Sequence, residues 1–265
     1  MRWLAALPIC LVSAISERLP AQFIVNLKPE TLAAFDKYVR EAEDTADLRL
    51  NGERSFLWVR EKPDNQKWVM GKDPVIHAFT GNDGKEMPGN GLLHDWVGAI
   101  FVPNRKVEEV VSLLRNTDER KKHYAEVVDS KLLSRNGDSQ KTMLRLKKKK
   151  YITVYLNAQY DERFRSLDTQ RWHMRSICTR IAEVADAGKQ SERELPPGND
   201  HGFLWRMWTD YRFEQVNGGV VFECHSITLS RDTPAALGWI VRPLIRSIPV
   251  DSLKSVLEST RNALR

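Results

Sequence analysis

The 265 residues carry 41 Lys and Arg against 35 Asp and Glu, a formal net charge of +6, with 42% hydrophobic and 29% charged residues. This composition excludes an intrinsically disordered chain, and the length supports a sizeable buried core without covalent staples. The positive excess is mild and comes without a basic helix or an RNA-binding motif, so nucleic acid is not an expected partner; three cysteines are too few for a disulfide framework.

The first 21 residues read as a signal peptide. Arg2 supplies the positive start, Trp3 to Ile15 the short apolar run, and Val12-Ser13-Ala14, or Leu19-Pro20-Ala21 before Gln22, a cleavage site. The run is too short to span a bilayer as a helix. Ile9 before Cys10 disfavours lipid attachment, where a small residue is needed. The expected product is exported, periplasmic or secreted.

Residues 22–90 are expected to form an N-terminal extension, a helix plus short strands. Pro29 and Glu30 open the helix, and Leu32, Phe35, Tyr38, Val39 and Ala42 share one face. "FLWVRE" and "PVIHAFT" are short apolar stretches, and the Gly- and Pro-rich "GNDGKEMPGNG" reads as a linker ending near Gly91.

From there to Arg265 the pattern predicts one α+β domain. "LLHDWVGAIFVP" is a strand. Val107, Val110, Val111 and Leu114 mark a helix, and Thr117 caps a second, short one. Asn136-Gly137 joins a hairpin, "YITVYLNAQYDERF" and "TQRWHMRSICTRIAEV" are strands, and a second hairpin spans Phe203 to Asp232. The end is an amphipathic helix with Leu253, Val256, Leu257, Thr260 and Leu264 on one face.

The second hairpin carries most of the information. A type I′ turn at Asn217-Gly218 pairs Phe213 with Phe222, Tyr211 with Cys224, and Thr209 with Ser226. Strand parity then places Trp205, Met207, Thr209, Tyr211, Phe213, Phe222, Cys224 and Ser226 on one face. The other face pairs Arg212 with Glu223 and Asp210 with His225, and reads as an outer lattice of matched charge. Each such pair is worth about 0.2–1 kcal/mol. Cys178 lies on the preceding strand, too far from Cys224 to form a disulfide, so both are expected free and buried.

The order of elements, with "HDWVGAIFVP", "LRLKKKKYITVYLNAQYDERF", "HGFLWRMWTDYRFEQVNGG" and "ALGWIVRPLIRSIPVDSL", resembles the START and polyketide-cyclase-like (SRPBCC) superfamily, in an exported bacterial branch. The resemblance implies a helix-grip fold, a curved antiparallel sheet wrapped around the long C-terminal helix. It carries over no catalytic residue, because lipid carriers, receptors and cyclases share no catalytic motif there.

The expected site is a cavity between sheet and helix, lined by Trp205, Met207, Thr209, Tyr211, Phe213, Phe222, Cys224, Ser226, Val256 and Leu257. Its occupant is an apolar small molecule or lipid. Two alternatives stay open: a cyclase- or hydrolase-like enzyme using the same cavity, and an interaction scaffold whose core is filled. No catalytic group, metal or cofactor is expected, since none of the six histidines has metal-ligand spacing and no phosphate-binding loop or nucleophile elbow occurs. Lys147 to Lys150 reads either as a solvated turn or strand edge, or as a transient contact with anionic headgroups at a membrane surface. Arg171, Arg175 and Arg180 read as surface pairing or as ligand clamps. The apolar Leu237, Trp239, Ile240, Val241, Leu244, Ile245 and Ile248 read as packing on the sheet mouth or as a movable lid.

Overall fold

A computed structural model describes residues 24–61, 69–71, 73–79, 84–149, 153–232 and 238–265, the last stretch in its side chains from 246 onward. The expected signal peptide lies outside the described residues, as do Lys150 and the side chains of the apolar segment before Ile248.

Helix α1 runs Pro29–Leu50, with Pro29 in its first turn, where a missing N–H costs nothing, and Glu30 beside the positive helix end. "FLWVRE" forms a single 3-10 turn, Trp58–Glu61, rather than a strand. Short strands β1 (Val75–Ala78) and β2 (Lys85–Met87) precede the long β3 (Gly91–Pro103). Helix α2 (Val107–Arg115) and two single turns, Thr117–Glu119 and Arg120–His123, lead to four strands: β4 (Val127–Asn136), β5 (Ser139–Lys149), β6 (Thr153–Ser166) and β7 (Arg171–Ala185). The hairpin β8 (Arg206–Val216) and β9 (Gly219–Arg231) follows, then helix α3 (Gly238–Ala263).

All sheet pairings are antiparallel, in the order β1-β3-β9-β8-β7-β6-β5-β4, with β2 also on β3. Register shifts within β4–β5 and at Gln159/Tyr160 add twist and bend the sheet. Its concave face holds α2 and α3, and its convex face is covered by α1 and the turn at Trp58. This is the α+β helix-grip fold. Gly98 on β3 permits the closest approach of α3: a Cβ there would stand 2.9 Å from Leu257 Cδ1.

The two turns differ from expectation in detail. In the β8–β9 turn Gly218 has φ +82° while Asn217 stays negative, so the type I′ turn, which needs both positive, does not form. The register is nevertheless the expected one, with Thr209 opposite Ser226 and Arg212 opposite Glu223. In the β4–β5 hairpin Asn136 pairs with Ser139, so the loop is Gly137-Asp138, one residue later than expected.

The charged face of the β8–β9 hairpin is not an outer lattice. Asp210 and Glu223 are 0% exposed and Arg212 2%. The reason is the cover. Helix α1 and the Trp58 turn lie on this face, and its charges bind one another and the covering backbone. Arg212 reaches both Asp210 and Glu223. Glu223 accepts hydrogen bonds from the backbone N–H of Trp58 (3.0 Å) and Val59 (2.9 Å). His173 Nε2 donates to Asp210 (2.5 Å), and Asp95 accepts from His225 Nε2 and the Tyr38 hydroxyl, both at 2.6 Å. Burial opposes the charge of Asp210, yet Arg212, His173 and Arg175 around it hold its carboxyl below the usual carboxylate range. His173 and His225 are thus both tied into this buried network. Arg175 bridges this cluster to Asp47 of α1 (3.1 Å), and Arg171 and Arg180 pair with Asp168 and Glu194.

Removing one partner of a buried ion pair strands the other. Asp210→Ala is therefore expected to destabilise the fold by about 3–5 kcal/mol in urea denaturation. A loss below about 1 kcal/mol, the value of exposed pairs, would return this face to the surface.

Candidate functional site

Between the concave face and the middle of α3 lies a cavity of about 450 Å³. Strand parity builds its floor. Met207, Thr209 and Tyr211 of β8 and Cys224, Ser226 and Thr228 of β9 all border it. Ile248, Leu253 and Val256 of α3 form the roof, and Leu144, Leu146 and Leu156 of β5 and β6 one wall.

Of the ten residues expected to line it, the structure brings Met207, Thr209, Tyr211, Cys224, Ser226 and Val256 to the cavity. Phe213, Phe222 and Leu257 lie instead in filled core beyond its end. There the two phenyl rings stack at 5.1 Å, 2° from parallel, beneath Val107, Val110 and Val111 of α2. Trp205 is on the opposite face. The strand begins only at Arg206, so parity does not extend back to Trp205; its indole N–H donates to Asp200 (2.9 Å) and packs with Phe35 and Trp208. Leu204 borders the cavity in its place.

Sequence reading missed the polar groups of the wall. Arg120 makes a two-pronged ion pair with Glu162, both bonds at 2.7 Å, and donates to the Leu114 carbonyl. Gln140 donates to the same carboxylate (2.7 Å). Glu162 interrupts the inward run Leu156, Ala158, Tyr160, Phe164, and that lone charge in an apolar alternation was a readable signal. Arg120, inside a run of surface charges, gave none. At the rim, Lys148 pairs with Glu126 and donates to Ser252 (2.7 Å), while His201 Nδ1 donates to Glu183 (2.8 Å). The charged groups of these pairs thus offer a ligand no uncompensated charge.

The reactive candidates are quiet. Cys178 and Cys224 are free and buried. Burial pushes the Cys178 thiol up to about 12 and Cys224 higher still, so neither forms the nucleophilic thiolate near neutrality. Burial likewise raises the Tyr160 and Tyr211 phenols well above their ordinary value. Among the described residues no cluster of His, Cys, Asp or Glu is arranged to hold a metal ion.

His94 and Asp95 point apart, as neighbours on a strand must. Asp95 joins the convex network, and His94 borders the cavity, where it shares a hydrogen bond with Ser230 (3.2 Å) and its Nδ1 has no partner. Burial, then the charge of Arg246, lowers its pKa from 6.5 to about 4 against the smaller opposing effect of Asp232. A folded-state value below the unfolded one means that the unfolded chain takes up the proton first. The resulting stability is present in full above pH 6.5 and is lost as pH falls toward about 4. The loss reaches about 3 kcal/mol. Across this window the denaturation midpoint of wild type should therefore fall relative to that of His94→Leu; parallel curves would contradict the burial of a neutral imidazole.

No family model matches the sequence, and no curated protein matches it. Solved structures match in arrangement. A STAR-related lipid transfer protein from Xanthomonas axonopodis is 14% identical, with a TM-score of 0.41, over 66% of this chain and 97% of that one. The Zhui aromatase/cyclase from a Streptomyces species is 9% identical, with a TM-score of 0.43, over 65% and 93%. The human StarD13 lipid transfer and protein localization domain is 10% identical, with a TM-score of 0.44, over 76% and 93%.

Proposed function

We propose that the protein binds or carries an uncharged apolar small molecule or lipid in the cavity between sheet and α3. The cavity volume carries this reading. Packed interiors seldom leave voids larger than a water molecule. About 450 Å³ bordered mainly by apolar side chains is the size and character of a small-ligand site. The same space argues against a scaffold with a filled core. The raised thiols and the paired charges of the walls favour holding over chemistry. Met207, Thr209, Tyr211, Cys224, Ser226 and Val256 are the proposed contacts.

Protein purified from its own cells is expected to carry a co-purifying ligand in native mass spectrometry and, once stripped, to bind the neutral fluorophore N-phenyl-1-naphthylamine. Val256→Trp, which fills the cavity from the roof, should abolish both. Absence of ligand and of fluorophore binding in folded wild type would sink the reading.

The reading places the protein outside the cytoplasm, supported by the charged start, apolar run and Leu19-Pro20-Ala21 site of residues 1–21. N-terminal sequencing of exported material is expected to begin near Gln22 or Ile15; an intact Met1 there would refute export by cleavage.

A further inference from the structure

Three strands place hydroxyls side by side on the cavity floor. Ser176 of β7 is the register partner of Thr209 on β8, and Thr209 of Ser226 on β9. All three border the cavity. The same row continues through Glu162 to Gln140 on one side and reaches Trp96 on the other. The two ends of the polar segment behave differently. Glu162 and Gln140 are satisfied by Arg120 and by each other. The hydroxyls of Ser176, Thr209 and Ser226 form no hydrogen bond with any group among the described residues. Polar groups in such surroundings are almost always paired, and an apolar chain laid over this row would leave all three unmet.

Neighbouring strands stand about 4.8 Å apart, so the row presents three hydroxyls, each both donor and acceptor, at that interval. That separation matches two oxygens in meta relation on one ring. Above the row α3 contributes Ile248, Leu253 and Val256, alongside Asp251, Ser252 and Ser255. We propose that the Ser176–Thr209–Ser226 row reads one edge of the ligand, and that the ligand is a neutral, extended apolar molecule with at least two hydroxyl or carbonyl groups along that edge, rather than a lipid with a single polar head. This inference rests on the cavity being a ligand site. The neighbouring Glu162 carboxylate, already neutralised, gives the row no charge with which to hold an ionic group.

The test uses a graded series on the full chain: pentadecylbenzene, meta-pentadecylphenol and pentadecylresorcinol, with no, one and two hydroxyls on the same apolar body. Each displaces N-phenyl-1-naphthylamine from the stripped protein. Affinity for wild type is expected to rise roughly twofold to tenfold with each hydroxyl, the scale of one net hydrogen bond. The combined Ser176→Ala, Thr209→Val, Ser226→Ala variant keeps the shape of the floor and should bind all three alike. Should that variant not fold, Thr209→Val alone should shrink the step between phenol and resorcinol. Equal affinities in wild type, or an unchanged gradient in the variant, would overturn the row while leaving the cavity a ligand site. If neither the fluorophore nor any of the three compounds binds folded wild type, the ligand site itself falls, and the row with it.

Discussion

Each residue of the β8–β9 hairpin faces one of two incompatible environments, and the register of that hairpin decides which. On one side lie paired charges sealed under α1; on the other lie the hydroxyls, thiol and aromatic rings of the cavity floor. A slip of one residue would push Asp210 and Arg212 into an apolar cavity and Tyr211 under α1. Neither face tolerates the exchange, so the ladder is fixed from both sides. The neighbouring strands β3 and β7 inherit the same alternation, with Asp95 and His173 turned toward the buried charges.

The convex network also explains how the N-terminal elements join the sheet. Tyr38 reaches Asp95, Asp47 reaches Arg175, and the Trp58 and Val59 amides close on Glu223. Such bonds are directional. They fix where α1 and the Trp58 turn sit, whereas the apolar contacts around Phe35 and Leu57 would tolerate sliding. The cost is the desolvation of several charges at once, which is compensated only while every partner is in place.

Much of this was legible in the sequence. Periodicity located α1, α2 and α3, alternation located the strands from β3 onward while β2 lay in the stretch read as a linker, and one Asn-Gly turn gave the full register of the hairpin. What sequence could not give was cover. Asp210 and Glu223 read as surface because charge is usually exposed, and nothing local to the hairpin announces that a helix over 150 residues earlier lies on top of it. Phe213 and Tyr211 share a face, so parity could not tell that α2 ends the cavity between them. Trp205 failed for a smaller reason: alternation holds only inside the strand, and the strand starts one residue later. Arg120 was hidden among surface charges, whereas Glu162 stood out from its apolar neighbours and could have been found.

The contact between Gly98 and Leu257 has a mechanical side. The residues of α3 that roof the cavity all lie N-terminal to Leu257, while Leu257 itself rests directly against the sheet. The cavity therefore ends where Leu257 meets the sheet, and any side chain at position 98 would have to displace Leu257 at that end.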